Sequence, residues 1–387
     1  MGGPARLLTV LVFAAAAQAA AASDRFVPSD PGFVVANVSR AAPDAALRAR
    51  IVAWQANSAD ESASVALAEA YFERARATRE PMFMGRAEAV LAPAVTAGHA
   101  SAAQRRLYAE TLQFRHDFSA AESLLDGILA TAPRDTVART QRASVRLVRG
   151  DFAGARSDCA QLVASSDVSA AIGIACLAEA LAGSGSLARG RALLATSPTR
   201  PDMNPAAHAY LLTVRGELAE RAGEIDAAIA DYREALALAP ESDATRAALA
   251  DALLARGDRA AAFSLANIER PSLAILVRQS LAADADGSAR LRPRAENLIA
   301  LERSRGDAAH NREAALLSLD AGDIDRALVA ARTNFETQRE LPDVRVLARA
   351  VVRAHDAAAL QGLRAWLDAT GFADVVTESI LAGAGRG

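Results

Sequence analysis

The stretch AYLLTVRGELAERAGEIDAAIADYREALALAP, residues 209–240, decides the fold. Gly223 divides it into two segments, each with apolar and small residues at three- and four-residue spacing, the period of an amphipathic α-helix. Gly216 stands twelve residues before Ala228; Tyr232 follows four later, Ala235 three after that, and Pro240 closes the unit. Small residues at Gly216 and Ala228 let two antiparallel helices approach, Tyr232 fills the space beside the next helix, and Pro240 stops the second helix. Such a hairpin cannot bury its apolar face alone, so it requires stacked neighbours.

The same frame recurs with a period of about 34 residues. Residues 102–135 carry Ala109, a His116-Asp117 turn, Ala121, Leu125 and Pro133, and residues 136–169 carry Ala143, Gly150-Asp151, Ala155 and Cys159. A looser unit from residue 171 uses Ala178 and Gly190 around a Gly183-Ser-Gly-Ser turn. Later units have Ala250, Gly257-Asp258 and Ala262; Ala315, Gly322-Asp323 and Ala327; and Ala348, His355-Asp356 and Leu360. Two stretches fit less well. Residues 62–95 have Leu67, Ala68, Tyr71, Ala87 and Leu91, but the RATREPMFMG connection exceeds the frame. Residues 272–304 read as a helix pair with an enlarged connection at 282–294, placing Arg292 and its neighbours in a solvated loop.

The small and aromatic positions of residues 209–240 resemble the tetratricopeptide repeat (TPR), and by register the resemblance spans residues 62–370. In detail the chain is similar to exported bacterial TPR proteins. The resemblance implies an all-α, right-handed α-solenoid of stacked antiparallel helix hairpins, acting through its surface. The expected organisation is a signal peptide at 1–22, an arm and capping helix at 23–60, repeats at 61–196, a Pro-rich connection at 197–207, repeats at 208–372, and a capping helix with a flexible tail at 373–387.

Composition agrees with such a chain. Of 387 residues 52% are hydrophobic but only 4% aromatic, so the core is built from small aliphatic side chains. All 43 basic residues are arginine and the formal charge is −3, which offers no global field for nucleic acid. At the N-terminus Arg6 precedes an apolar run at 7–17 and an Ala-rich end, the plan of a secretory signal. Cleavage fits after Ala22 or Ala19, the former preferred. The apolar run falls short of the ~20 residues a spanning helix needs, so stable membrane insertion after cleavage is not expected. The expected compartment is the bacterial periplasm.

Cys159 and Cys176 are the only cysteines. Cys159 takes the register position of Tyr232 and faces the next unit, whose first helix carries Cys176. In an oxidising compartment the pair can form a disulfide; otherwise both are small buried thiols.

Chemistry is sparse. The five histidines form no H-E-x-x-H pair, and there is no nucleophile elbow, phosphate loop or dinucleotide fingerprint. His116 and His355 read as solvated turn residues. No catalytic residue, metal or cofactor is expected. The candidate contacts are inner-face positions of the first helices: Arg106, Glu110, Gln113, Thr140, Ser144, Thr213, Glu217, Glu220, Asp251, Arg312, Arg345 and Arg349. Their middle is acidic and polar, and their C-terminal end carries three arginines suited to a carboxylate. The expected function is a non-catalytic exported scaffold or adaptor for an unidentified envelope protein or peptide. The alternatives are a carrier of a small ligand or envelope polysaccharide at the bend formed by residues 197–205, or an unrecognised hydrolase.

Overall fold

The computed structural model describes residues 45–165, 169–196, 203–304 and 310–383. The expected signal peptide, residues 23–44 of the arm, residues 197–202 of the connection and residues 384–387 of the tail lie outside the described residues. Among those described the chain forms twenty α-helices and no strand. A single helix, α1 (Ala45–Ala56), leads into nine antiparallel pairs. The first five are α2 (Glu61–Thr78) with α3 (Met82–Thr96), α4 (Ala102–Phe114) with α5 (Phe118–Thr131), α6 (Thr136–Arg149) with α7 (Phe152–Val163), α8 (Ser169–Gly183) with α9 (Leu187–Ala195), and α10 (Pro205–Arg221) with α11 (Ile225–Leu238). Then come α12 (Asp243–Arg256) with α13 (Arg259–Ala266), α14 (Leu273–Ala282) with α15 (Ala285–Ser304), α16 (Asn311–Ala321) with α17 (Ile324–Thr337), α18 (Leu341–Ala354) with α19 (Ala357–Thr370), and a closing α20 (Val375–Gly383). This is a TPR-like α-solenoid.

A two-residue rule makes the hairpins. Gly150, Gly257 and Gly322 end their helices with positive φ, and the Asp that follows each one caps the next helix through its carboxylate. His116-Asp117 and His355-Asp356 follow the same rule with a histidine at φ 59° and 52°. Tight turns leave adjacent helices no arrangement but antiparallel contact.

Alanine then sets the spacing. Ala109, Ala121, Ala155, Ala228, Ala250, Ala262, Ala315 and Ala327 are wholly buried, and Ala143 nearly so. A Cβ on Gly216 would lie 2.6 Å from the Tyr232 ring, so the ring occupies the space a side chain there would need. The Tyr232 hydroxyl donates to Glu220 at 2.7 Å. Pro240 follows the end of α11, as its missing N–H requires.

Two connections differ from expectation. α2 continues to Thr78 and ends on Arg79 at φ 52°, so only residues 79–81 join it to α3. Residues 285–294 are helical rather than looped: the Asp284 carboxylate accepts the Gly287 N–H at 2.7 Å and starts α15, which accommodates Pro293 internally. Arg292 is therefore not a loop residue; it donates to the Leu317 carbonyl at 2.7 Å and pairs with Asp320. Across the Pro-rich connection, α8 packs directly on α10.

Cys159 and Cys176 form a disulfide joining α7 to α8, with Cα atoms 5.6 Å apart and both residues buried. Replacing both with alanine removes a 17-residue crosslink and is expected to cost about 3 kcal/mol in the loop-entropy model, read as a lower urea midpoint than the oxidised parent. Gly216→Val drives a branched side chain into the Tyr232 ring and should cost about 1–3 kcal/mol in the same assay, whereas an unchanged midpoint would show that the hairpin does not depend on this close approach.

Candidate functional site

The solenoid returns on itself. The turn edges of its second to fifth hairpins meet the C-terminal segments. His116 lies edge-on to His310, with ring centroids 5.4 Å apart. Beside Gly150 are the Arg339 and Trp366 side chains, and the Arg339 N–H donates to the Val148 carbonyl at 2.7 Å. The backbones of Gly185 and Gly371 are in direct contact, and Val375 covers Gly223. Phe152, Phe335, Trp366 and Phe372 form the aromatic seam, with Trp366 5.1 Å from Phe335 and 5.4 Å from Phe372. These contacts merge the third and fourth hairpins with the last three and α20 in one apolar core.

The return brings polar side chains of α8, α10 and α18 together at the middle of the inner face in one cluster. Arg345 on α18 spans it: one side of the guanidinium meets Glu220 at 2.6 Å and the other meets Asp374 at 2.8 Å. Burial alone would lower the Arg345 pKa, but these two carboxylates raise it further still. Asp374 also caps α20 by accepting from Thr377. Beside this bridge the balance is different. Glu179 receives only a 3.2 Å hydrogen bond from the Tyr210 hydroxyl, and burial, with the Glu340 charge, pushes its carboxyl up to about 7. Burial and the Glu179 charge push Glu217 up to about 8.

Arg221, one turn beyond Glu217, is 3% exposed, stacks on Phe372 at 4.1 Å, and leaves Nε and Nη1 without a hydrogen-bond partner. Burial lowers its pKa despite Glu217 and Asp374 nearby. Arg349 has accessible surface of its own, yet the protein around it lowers its pKa by desolvation.

A second charge chain stiffens the C-terminal hairpins. Arg278, 2% exposed, joins Asp251 and Glu313 at 2.8 Å each, and Arg312 holds Glu340 at 2.7 Å together with Asp343. Burial would raise Glu313, but Arg278 and Arg312 bring it down to about 2.

The expected contacts separate accordingly. Arg312 and Arg345 point into internal ion pairs, and Asp251 is held by Arg278, so these side chains serve the fold before they can serve a partner. The Arg345–Glu220 pair is superhelical and joins the arginine end to the acidic middle, whereas the Arg312 and Arg278 pairs join neighbouring hairpins. Thr213 bonds its own helix and Thr245, and Thr140 bonds Thr136. Arg106 pairs with Asp135, while Glu110 pairs with Arg76 at 3.3 Å and stays half-exposed. Ser144 is exposed. His355 is exposed in its turn, but His116 is not a solvated residue: it is half-buried, and burial, with His310 beside it, lowers its pKa to about 4.

Sequence reasoning did not single out Glu179, Tyr210, Arg221, Glu340, Phe372 and Asp374. For Glu179 the signal was available: it follows the small residue Ala178 as Glu110, Ser144, Glu217, Asp251 and Arg349 follow theirs. For Arg221 and Asp374 no repeat position gives them away. Among the described residues no group of three or more His, Cys, Asp or Glu is placed to hold a metal ion, and no helix is long and apolar enough to cross a membrane.

The class defined by this architecture is the TPR-like helical-repeat protein. No protein-family model matches the chain, and no curated protein matches it. Among solved structures it is similar to a thermophilic TPR protein of Thermus thermophilus, at 26% identity over 49% of this chain and 95% of that one, with a TM-score of 0.36. It is similar to a TPR protein from Parabacteroides merdae at 14% identity over 66% and 98% of the two chains, with a TM-score of 0.39. A chain of the APC/C hetero-tetramer Cut9-Hcn1 aligns at 14% identity over 78% of this chain and 59% of its own, with a TM-score of 0.48.

The cluster has a pH signature. With carboxyl pKa values raised from 4.5 to about 7 and 8, the folded state binds more protons than the unfolded state between those limits, so stability falls as pH rises. The groups facing the pair are Tyr210, Glu220, Arg221 and Glu340. Glu340 is raised too, and His310 is raised above 6.5, which acts in the same direction. The melting temperature should therefore decline from about pH 6.5 to pH 8.5, and Glu179→Gln/Glu217→Gln should flatten that decline. Equal slopes in parent and double variant would remove these carboxyls as its source.

Proposed function

We propose that the chain is a non-catalytic, exported interaction scaffold that holds a segment of an envelope protein on the inner face of its N-terminal limb. The observation carrying this reading is on α4. Arg106, Glu110 and Phe114 recur every four residues and so share one helical face, where Phe114 is 48% exposed. An exposed aromatic beside a half-exposed carboxylate is the composition of a binding anchor. Ser144 on the adjacent first helix α6 extends the surface. The balanced charge favours a protein or peptide over nucleic acid.

Export is supported by the disulfide, which persists in oxidising compartments, and by the signal pattern of residues 1–22. N-terminal sequencing of the mature periplasmic protein should begin at Ser23; a mature chain retaining Met1 in the cytoplasm rejects export.

A photo-crosslinker at Glu110 should capture a defined envelope protein, and Phe114→Asp should lower its recovery about tenfold or more without changing the melting temperature. Undiminished recovery of every captured protein rejects the α4 surface.

A further inference from the structure

An apolar groove of about 450 Å³ lies between the fifth and sixth hairpins. Leu249 and Leu253 of α12 form its floor, Leu236 and Ala237 of α11 one wall, and Ala261 and Leu265 of α13 the other, with Arg233 and Ser264 beside them. The two floor residues are buried, while Arg233, Ala237 and Ser264 are exposed, so the groove opens at the surface. At this repeat α13 has eight residues where α11 has fourteen, and less helix covers α12. The two polar side chains are both exposed and too few to orient a small polar ligand. Apolar walls of this kind favour an apolar segment of chain.

The chain itself carries such a segment within reach. Residues 33–38, Phe-Val-Val-Ala-Asn-Val, precede α1. After the short connection 57–60, α2 packs against α1, so the two run antiparallel and Ala45 lies toward the Thr78 end of α2. That end is where the first hairpin meets the sixth. Arg79 pairs with Asp243, at the start of α12, at 3.2 Å, and Glu80 meets Arg270, between α13 and α14, at 3.7 Å. From Asp243 the floor residue Leu253 is about 15 Å along the helix, whereas the chain from Ala45 back to Phe33 spans about 40 Å when extended. Charge agrees as well. Arg233 on the rim forms no ion pair among the described residues, and Asp30 stands about 10 Å of extended chain before Phe33. We propose that residues 33–38 of this chain occupy the groove, with Phe33 and Val35 against Leu236, Leu253 and Leu265 and with Asp30 beside Arg233. Residues 33 and 35 point to the same side of an extended chain, as this arrangement requires. A tether of this length holds the segment at an effective concentration in the millimolar range, which favours it over the same segment of a second copy. The strap adds an apolar fastening to the Arg79 and Glu80 pairs between the two ends of the superhelical turn. It goes beyond docking on α4 and does not rest on it.

A benzoylphenylalanine photo-crosslinker in place of Phe33 tests the assignment in the purified chain. It should crosslink within one chain to the tryptic peptides 234–246, 247–256 or 260–278, which hold the groove residues. Ser264→Trp fills the groove from an exposed position and should lower that yield about tenfold. Limited proteolysis gives a second readout: trypsin should cut after Arg40 about tenfold faster in Phe33→Asp and in Ser264→Trp than in the parent, and no faster in the double variant than in either. Melting curves report whether the variants are folded; should Ser264→Trp fail to fold, Ala237→Trp takes its place. No crosslink, crosslinks that miss these peptides, crosslinks that join two chains, or equal cleavage at Arg40 in parent and variants each overturns the proposal. None of these outcomes bears on crosslinking at Glu110, so the two readings fail separately.

Discussion

Everything in this molecule follows from how closely its helices approach. At most hairpins the contact is made by alanine or glycine, buried at the interface, so the helices are held close together. A larger residue in those places would widen the pairs and alter the curvature that accumulates along the stack. The aromatic share of 4% is then sufficient, because Tyr232 and the Phe152, Trp366 and Phe372 seam fill the few wider gaps.

That curvature has an electrostatic consequence. An inner face that stayed open would leave its acidic middle and arginine end exposed to solvent and to partners. Here the C-terminal limb comes back over the middle hairpins, so that Arg345 meets Glu220, while Arg345–Asp374 and Arg312 with Glu340 and Asp343 pair neighbouring elements. Charges taken from water require good geometry to be tolerated, and these pairs have it. Glu179, Glu217 and Arg221 do not: burial raises both carboxyls, and Arg221 keeps Nε and Nη1 without a hydrogen-bond partner.

Much of the architecture was legible because it is local. Gly150-Asp151, Gly257-Asp258 and Gly322-Asp323 announce turns by backbone chemistry, and the Ala pairs twelve residues apart announce helix contacts. The disulfide followed from register, since Cys159 stands where Tyr232 stands in another unit. The misread connections at 79–81 and 283–284 failed for a related reason: Arg79 adopts positive φ without being glycine, and Asp284 caps a helix where residues 282–294 had read as an enlarged connection. The site was less legible. Glu110 and Ser144 remain accessible, but Arg345 looked equally available until its distant partners were in place.

The sequence by itself determined the helices, their pairing and the crosslink between adjacent repeats, because each depends on residues within about one repeat of one another. Only the tertiary structure decided which inner-face charges are spent internally and which stay open. That outcome depends on where the superhelix meets itself, as when Arg345 reaches Glu220 across 125 positions of chain. Small rotations summed over nine hairpins set that meeting point, and no single repeat encodes it.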